Sequence, residues 1–354
     1  MISRLITRAE HPVQAIMLQV MLALIPATLF GLFAFGWPAI YLFVTTLLFS
    51  LLSEAFCLQL RGKPVLRGLR DGSALLTGWL LAMSLPPWAP WWIGALGAFL
   101  AIVVGKQVYG GLGQNLFNPA MLARVALLVS FPLEMTTWIK PTLPFSALSP
   151  DPVAAMGLTF GAEQAIDAVT SATLIGHVKT TFSQGLTLSD AMAAAPFNTR
   201  LAFMGWGPGS LGETCFLLVA AGGVWLIRRG LITWHIPVSL IAGVLLPASV
   251  LYGSDPEHHL SPLHHLVSGG LMLTAFFIAT DYVTSPGNPK GQLLYGAGCG
   301  VLIFVIRTFG GFPEGAGFAI LLMNGLTPLI DYYIRPRIYG RDIKGTPLKP
   351  GQPS

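Results

Sequence analysis

The chain alternates between apolar segments and short polar connectors along most of its 354 residues. A helix needs about twenty apolar residues to cross a bilayer, and fewer where it is broken inside the protein. About ten segments meet this requirement, and several of them are short or interrupted by glycine and proline. They are residues 14–36, 38–60, 72–85, 91–106 and 118–131 in the first half, and 211–226, 236–252, 266–280, 293–307 and 317–334 in the second half. The pattern predicts an all-α polytopic membrane protein with about ten transmembrane helices.

Composition supports this prediction and removes other classes of protein. Hydrophobic residues make up 53% of the chain and charged residues 10%, with a mean hydropathy of +0.67, whereas soluble domains carry about 25% charged residues. The net charge of +5 comes largely from basic residues between apolar segments. Such residues are topology signals, so we expect no nucleic-acid partner. The three cysteines occur singly and predict neither a disulfide framework nor an iron–sulfur cluster within this chain.

The distribution of basic residues predicts the orientation in the membrane. With the N-terminus in the cytoplasm, fifteen of the twenty lysines and arginines fall on the cytoplasmic side, Lys106 among them. Lys140, Lys179, Arg200 and Arg307 fall on the outer side, and Arg124 falls inside an apolar segment. Because cytoplasmic connectors carry the excess of basic residues, we predict that both termini are cytoplasmic.

The two halves share short sequence similarities at an offset near 200 residues. Residues 84–86 resemble residues 284–286, and the glycine pair at 110–111 recurs at 310–311. Each half holds about five apolar segments, an odd number, so a second copy must enter the membrane the other way up. This predicts two inverted five-helix repeats, as in many transporters. The alternative is that glycine and proline simply recur in membrane helices.

A long polar connector separates the two halves. It is more polar than the other connectors, and on the predicted orientation it lies outside the cytoplasm. A long segment among short connectors is more often functional than incidental. The predicted organisation is a first membrane repeat at 1–132, an extracytoplasmic loop at 133–208, a second membrane repeat at 209–335 and a cytoplasmic tail at 336–354.

The most informative part of this loop is Asp167-Ala168-Val169-Thr170-Ser171-Ala172-Thr173. A stretch rich in Ser and Thr can simply satisfy local backbone groups. However, the string resembles the Asp-x-x-Ser/Thr-Gly/Ser-Ala-Thr signature at which a flavin transferase attaches FMN through a phosphoester. The resemblance implies covalent FMN on Thr173, with Thr170, Ser171 and Ala172 completing the motif. It also implies that Asp167 binds the transferase's metal or positions the loop during attachment.

A second segment, Gly110-Gly111-Leu112-Gly113-Gln114-Asn115-Leu116-Phe117-Asn118-Pro119-Ala120, has a tight loop between two spans as its simplest interpretation. It resembles the membrane subunits shared by sodium-pumping NADH:quinone reductase and the Rnf (Rsx) complex. The resemblance covers about residues 10 to 335. Within this family the chain is most similar to the Rnf D subunits, because the quinone-reductase homologue, its B subunit, usually has a longer N-terminal extension.

This resemblance implies partners and a second cofactor. The partners are other subunits of an Rnf-type complex, including iron–sulfur and flavin subunits, and a flavin transferase during maturation. The second cofactor is a non-covalent riboflavin, for which Asn118 and Arg124 are the residues to consider. The expected location is the inner (plasma) membrane of a bacterium, in contact with membrane lipid.

Acidic residues inside membrane spans cost about 2.5 to 3.5 kcal/mol on insertion scales and often mark ion paths. Glu54 lies within the second predicted span, and Asp281 and Asp331 lie near the ends of the eighth and tenth. We predict Glu54, and after it Asp281, as ion-path residues, and expect Asp331 to reach the interface. His258, His259, His264 and His265 lack a convincing metal-site spacing and are expected to be solvated.

Together these features predict a flavin-bearing membrane subunit of a complex that couples electron transfer, linked to ferredoxin and NAD, to ion translocation. No glycine-rich nucleotide fingerprint and no cluster ligands occur in the chain, so we expect it to be inactive alone. One alternative is a solute channel or secondary transporter with inverted repeats and no redox role. Another is an assembly scaffold that never carries flavin.

Overall fold

The protein is almost entirely helical in a computed structural model. The model describes residues 13–141, 149–161, 170–171, 173–194, 201, 203–213, 216–312 and 314–335. Three described helices are long and apolar enough to cross a membrane: Val13–Leu60, His235–Ser254 and Pro289–Phe309. Several shorter apolar helices accompany them. A polytopic membrane protein is therefore the class that both the sequence and the fold indicate.

Helix α1, Val13–Leu60, is one element of 48 residues with a break near its middle. Gly36 has φ 71° and ψ −155°, a conformation that only glycine adopts at little cost. Pro38 follows immediately and suits the first turn of a new helix because it has no N–H to leave unpaired. The break confirms the predicted boundary between the first two apolar segments.

The remaining helices of the first half are short. Their bounds are α2 Val65–Leu69, α3 Ser73–Ser84, α4 Trp91–Phe99, which continues as a π-helical stretch at Leu100–Gln107, and α5 Pro119–Ser130. These bounds agree closely with the predicted segments. Asn118 caps α5, since its side chain accepts a hydrogen bond from Met121 N.

The middle segment, residues 133–208, folds into short elements that polarity alone did not predict. They are α6 Pro132–Thr136, β1 Trp138–Ile139, α7 Pro152–Phe160, β2 Thr170–Ser171, α8 Leu174–Ser183 and α9 Leu188–Ala194. The two strands pair antiparallel, with Trp138 opposite Ser171 and Ile139 opposite Thr170. Apolar side chains of α8 and α9 form a small core of their own together with Leu260.

The second half has helices α10 Phe216–Arg229, α11 His235–Ser254, α12 Pro262–Val267, α13 Leu271–Leu273, which continues as a π-helical stretch at Thr274–Ile278, α14 Pro289–Phe309 and α15 Ala316–Tyr333. The predicted helix at 266–280 is wrong as a single element. It is interrupted between α12 and α13, where Gly269 has φ 73°. The predicted segment at 211–226 also begins too early, because residues 211–213 form a turn.

Both halves pair their helices in the same way. In the first half, Gly94 of α4 packs on Thr46 in the second part of α1, and in the second half Gly300 of α14 packs on Leu240 of α11. Glycine allows these helix backbones to approach closely. The halves meet where Gly222 of α10 contacts the backbone of α1 and where α5 contacts α15. One continuous apolar core runs through both halves.

Lys179 fastens helix α8 to the end of α14. Its Nζ donates to the backbone oxygens of Ile306 at 3.0 Å, Gly310 at 2.7 Å and Phe312 at 2.6 Å. Burial, and after it the charge of Arg307, lowers the pKa of Lys179 to about 8. The lysine therefore supplies hydrogen-bond donors to carbonyls that the helix end leaves open.

We predict that Lys179→Met loosens α8. Loss of about 1.5 kcal/mol from one charge-assisted hydrogen bond corresponds to roughly tenfold faster amide exchange over residues 174–183, measured by hydrogen–deuterium exchange. Lys140→Met, at an exposed lysine of the same middle segment, serves as the control. The pKa of Lys179 in the folded protein lies below the ordinary value of 10.5. The contribution of Lys179 to the free energy of unfolding therefore rises with pH between about 8 and 10.5, and Lys179→Met should lack that rise. Unchanged exchange in Lys179→Met would show that the three hydrogen bonds do not hold the helix.

Candidate functional site

Thr173 occupies the position just before helix α8. Its Oγ1 accepts a hydrogen bond from Gly176 N at 3.2 Å, so it is the helix N-cap. Thr170 and Ser171 form strand β2 directly before it. Asp167 and Ala172, the other motif positions considered, lie outside the described residues. The motif threonine is therefore held at the start of a helix, with its side chain half-buried.

Thr173 lines a cleft between the middle segment and the second half. The cleft encloses about 450 Å³ counted to its open mouth. Its lining residues are Thr173, Leu174, Ile175, Gly207, Pro208, Glu213, Val267, Ser268, Gly269 and Glu314. The hydroxyl of Ser268 is buried and has no hydrogen-bond partner among the residues that the structure describes. The cleft therefore presents polar groups to whatever enters its open mouth.

Two carboxyl groups at the base of this cleft share one arginine. The guanidinium of Arg124 contacts Glu314 directly, and its Nη2 lies 4.0 Å from Oε1 of Glu213. All three side chains are at least nine-tenths buried. Ser210 Oγ donates to Glu213 at 2.9 Å, and Gly270 N donates to Glu314 at 3.2 Å. The sequence-predicted Arg124 is thus the centre of a buried ionic cluster.

A second arginine completes the cluster. Arg307 is only 2% exposed and donates to the backbone oxygens of His265 at 2.7 Å and Ser268 at 2.9 Å. A side chain at position 269 would collide with both Arg307 and Glu314, so these two groups flank the same glycine. Arg307 thereby binds carbonyls that the break between α12 and α13 leaves open. Arg307, which is predicted on the outer side, is a buried structural cation.

The cluster balances two arginines against two glutamates in an apolar interior. An unpaired buried charge costs several kcal/mol, so each group depends on the others. Arg124 comes from α5 in the first half, whereas Arg307, Glu213 and Glu314 come from the second half. The cluster therefore joins the two halves of the chain.

A larger cavity lies between the halves and contains Asn118. It encloses about 860 Å³ including its open part, and Asn115, Lys106 and Asp281 also line it. Asn118 is held in place by Asn324, whose Oδ1 accepts from its backbone N at 3.0 Å. The wall is mostly apolar, with residues from α1, α3, α10 and the π-helical stretch after α13. Glycines 110, 111 and 113 of the neighbouring loop all have positive φ, as its glycine-rich sequence predicts.

Asn118 and Arg124 do not share one site. Asn118 lines the larger cavity, whereas Arg124 is absent from its lining and points to the ionic cluster at the cleft. They are six residues apart on a helix, so their side chains do not lie on the same face. The two residues considered for a second flavin therefore do not line one cavity.

Glu54 has a buried partner. Its Oε1 lies 3.0 Å from Nζ of Lys106, and their side chains are 4% and 3% exposed. Lys106 also donates to Ser73 Oγ at 2.7 Å, while Glu54 Oε2 has no partner. Lys106, which is predicted on the cytoplasmic side, is thus enclosed by the protein and paired with Glu54. Glu314 is a second buried carboxyl group.

The other acidic residues considered differ in their surroundings. Asp281 accepts hydrogen bonds from Thr284 Oγ1 at 3.1 Å and Val283 N at 3.4 Å, and it lines the larger cavity. Asp331 is exposed near the end of α15, as expected. Asp281 lines the larger cavity directly, and Glu54 is connected to it because its partner Lys106 lines the same cavity. Asp331 does not line this cavity.

The histidines are not all solvated. His258 is exposed and lowers the pKa of Asp255 by hydrogen bonding to it. His265 is only 3% exposed, because its backbone belongs to the short α12 that covers Arg307; the expectation that it is solvated is wrong. Among the described residues, no group of three or more His, Cys, Asp or Glu side chains is placed to hold a metal ion.

Comparison with known proteins decides the family. The model of the NQR2, RnfD, RnfE family matches residues 3–340. The chain belongs to this family. The resemblance seen in the glycine-rich segment at 110–120 is confirmed at that level.

Similar proteins from several bacteria are named as the D subunit of an ion-translocating oxidoreductase complex. The protein of Halorhodospira halophila (strain DSM 244 / SL1) is 49% identical over 342 residues, covering 97% of this chain and 96% of the relative. That of Stutzerimonas stutzeri is 51% identical over 336 residues, covering 95% and 94%. That of Rhodobacter capsulatus is 46% identical over 312 residues, covering 88% and 86%.

Sequence reasoning missed three charged residues that this member of the NQR2, RnfD, RnfE family buries. Glu213 and Glu314 each stand next to glycine a few residues before a membrane helix, and Lys106 stands at the end of one. Charged residues are scarce in this chain, so a charged residue next to an apolar segment already indicates a candidate buried ion pair. What the sequence could not supply was the pairing, which joins residues up to 190 positions apart.

We predict that Glu54→Gln destabilises the protein and that adding Lys106→Met restores it. The single change leaves Lys106 buried without its counter-charge, which costs about 3 to 5 kcal/mol, and the double change removes both charges. The yield and thermal unfolding of membrane-inserted protein measure this, with Asp331→Asn as an exposed control.

The same variants test an ion path. If Glu54 carries ions, the double variant assembles but the reconstituted complex transports fewer of them. Wild-type transport in the double variant would leave Glu54 a purely structural partner of Lys106.

Proposed function

We propose that this protein is the flavin-bearing membrane subunit of a complex that couples electron transfer to ion translocation, with FMN attached to Thr173 as a phosphoester. The observation that carries the proposal is the position of Thr173 at the N-cap of α8, facing a cleft. Unpaired backbone N–H groups and the helix dipole make a helix N-terminus favourable for phosphate. The threonine hydroxyl of the motif is therefore where a phosphate ester is best accommodated.

The residues around Thr173 fit this group. The amides of the first turn of α8 would face the phosphate, and the unpartnered hydroxyl of Ser268 offers one further donor. Arg124 and Arg307 offset the charges of Glu213 and Glu314, so the cleft does not repel an anion. FMN supplies reversible electron transfer when it is bound. The protein's own part is to hold the phosphate end, so that the ring stays free to meet other carriers.

The larger cavity supports a second proposal, a non-covalent riboflavin beside Asn118. Ligand pockets combine apolar walls with a few polar groups, and the cavity between the halves has this character. Asn115 and Asn118 provide amide groups, and glycines 110 and 111 leave a backbone open to close approach. Arg124 is not part of this site.

We also propose ten membrane segments arranged as two inverted repeats at 1–132 and 209–335, joined by an extracytoplasmic loop at 133–208 and followed by a cytoplasmic tail at 336–354. The similar pairing of α1 with α4 and of α11 with α14 supports duplication, as do the contacts between α1 and α10 and between α5 and α15. The chain would lie in the bacterial inner membrane with both termini in the cytoplasm and Thr173 outside.

Partners follow from the same proposal. Relatives are named as the D subunit of a complex, and the cysteines of this chain are single. Iron–sulfur centres and further flavins would therefore belong to other subunits, in a reaction linked to ferredoxin and NAD. A flavin transferase would be needed for maturation, and the protein would not be active alone.

The chief alternative is a solute channel or secondary transporter with inverted repeats and no redox role, and the other is a scaffold without flavin. Denatured protein distinguishes them, because only a covalent flavin stays with the chain after denaturation. Flavin fluorescence of the denatured band would support the redox function. Its absence from protein matured beside its transferase would favour the alternatives.

We predict that Thr173→Ala abolishes covalent flavin fluorescence while the protein stays in the membrane. The lost N-cap costs only about 0.5 to 2 kcal/mol, which a protein of this size tolerates. Thr173→Ser retains part of the fluorescence because it keeps both the cap and the nucleophilic oxygen. Thr180→Ala, in the same helix but outside the motif, is the control. Fluorescence that persists in Thr173→Ala would place the flavin elsewhere.

Orientation yields a further prediction in a variant without native cysteines. Ser189→Cys, on exposed α9, should react with a membrane-impermeant maleimide applied to the extracytoplasmic face. Lys63→Cys, in the exposed connector after α1, should react only after the membrane is permeabilised. The reverse labelling pattern would overturn the proposed orientation.

A further inference from the structure

The two carboxyl groups at the base of the cleft are not equivalent. Both oxygens of Glu314 accept from nitrogen donors, Oε2 from Arg124 and Oε1 from Gly270 N at 3.2 Å. Within the described part of the chain, Glu213 accepts from the hydroxyl of Ser210 at 2.9 Å, and the guanidinium of Arg124 is 4.0 Å away. Glu314 is therefore the better-stabilised carboxylate of the two.

The two carboxyl groups flank the same guanidinium, that of Arg124, and both lie against Gly270. Two ionised carboxylates cannot donate a hydrogen bond, and like charges this close in a buried site do not both ionise readily. One proton on Glu213, donated to Glu314, satisfies both groups. The proton-loaded cluster then carries one net positive charge, since Arg124 and Arg307 face a single carboxylate.

We propose that Glu213 is a proton-exchanging acid at the base of the Thr173 cleft. It holds one proton that it shares with Glu314, and it exchanges this proton with the cleft that both residues line. When the proton leaves to water, the two carboxylates are balanced by the two arginines and the cluster is neutral. The site thus alternates between a net charge of +1 and zero without any group remaining unpaired.

The surroundings limit what else could titrate there. Arg124 reaches the pair from α5 and Arg307 from α14, and both remain charged. His265 of α12 offers Arg307 its backbone oxygen, and Lys179 of α8 lies near enough to sense the charge of Arg307. Two buried carboxyl groups that share one arginine favour a proton over a larger cation as the exchanging species, because the guanidinium already occupies the place beside them.

This inference deepens the proposed function but does not need the flavin. On the proposed orientation, the proton site lies at the outer end of the membrane domain, beneath the threonine that would hold FMN. A charge of +1 there would favour the phosphate, and release of the proton to the cleft would remove that charge. The site is thereby a place where electron transfer and ion release could affect each other.

Infrared spectroscopy of the full-length chain labelled with carbon-13 glutamate tests the proposal. A protonated glutamic acid gives a carbonyl band that is distinct from that of carboxylate and is shifted by the label. We expect this band in the wild-type protein at neutral pH, with a further shift in D2O because the proton exchanges. The band should be lost in Glu213→Gln, and also in Glu314→Gln, where Glu213 becomes the sole carboxylate near Arg124. It should remain in Glu257→Gln, an exposed control.

The spectrum of the wild-type protein is sufficient to overturn the proposal, so the test does not depend on whether each variant folds. Absence of the labelled band at neutral pH, where exposed glutamates are ionised, or its persistence in Glu213→Gln, would show that Glu213 holds no proton. Loss of the band when the sodium concentration is raised at constant pH would show that sodium binds in place of the proton, which contradicts a site that exchanges protons alone. Thr173→Ala should keep the band, so a missing flavin and a missing proton site are distinguished in the same preparation.

Discussion

The structure depends on one constraint, which is that every charge enclosed by apolar helices must be balanced nearby. An unpaired charge in such surroundings costs several kcal/mol. Arg124 and Arg307 meet Glu213 and Glu314, and their contacts join the first half to the second. A second pair, Glu54 with Lys106, meets the same requirement beside the larger cavity. The buried ion pairs therefore hold the two halves together, and they lie beside the cleft and the larger cavity.

These charged sites accompany breaks in the helices. The break between α12 and α13 leaves backbone oxygens that Arg307 binds, and Lys179 binds those at the end of α14. Short, interrupted helices leave backbone groups that need partners, and cavities form where two such ends face each other. The cleft at Thr173 and the cavity at Asn118 both lie at such ends. The same features that would be costly in an ordinary helix bundle thus create the two candidate cofactor sites.

Much of the helical framework could be predicted from the sequence because its signal is local. Runs of apolar residues placed most helices within a few positions, and Gly36 with Pro38 marked the break in α1. The motif around Thr173 and the glycine-rich segment before Asn118 also identified both candidate sites. The two motifs indicated the family, and the family match over residues 3–340 confirms it.

The remaining features could not be predicted because they depend on contacts between distant residues. Arg124 and Asn118 are close in sequence, which suggests a shared site, yet the guanidinium pairs with Glu314, 190 residues away. Lys106 and Arg307 resemble surface charges in the sequence, since charge alone does not reveal enclosure. The folding of the middle segment around α8, and the break at Gly269, likewise follow from tertiary contacts and from backbone conformations that composition does not specify.

The central claim is that the start of α8 holds FMN above a balanced ionic cluster. Mass spectrometry of the proteolytic peptide that contains Thr173, from complex purified out of its native membrane, tests it most directly. The account predicts a mass increase equal to FMN less one water, with fragmentation assigning it to the Thr173 side chain. If all of the peptide that contains Thr173 were unmodified, or if the flavin were assigned to another residue, the account would be contradicted.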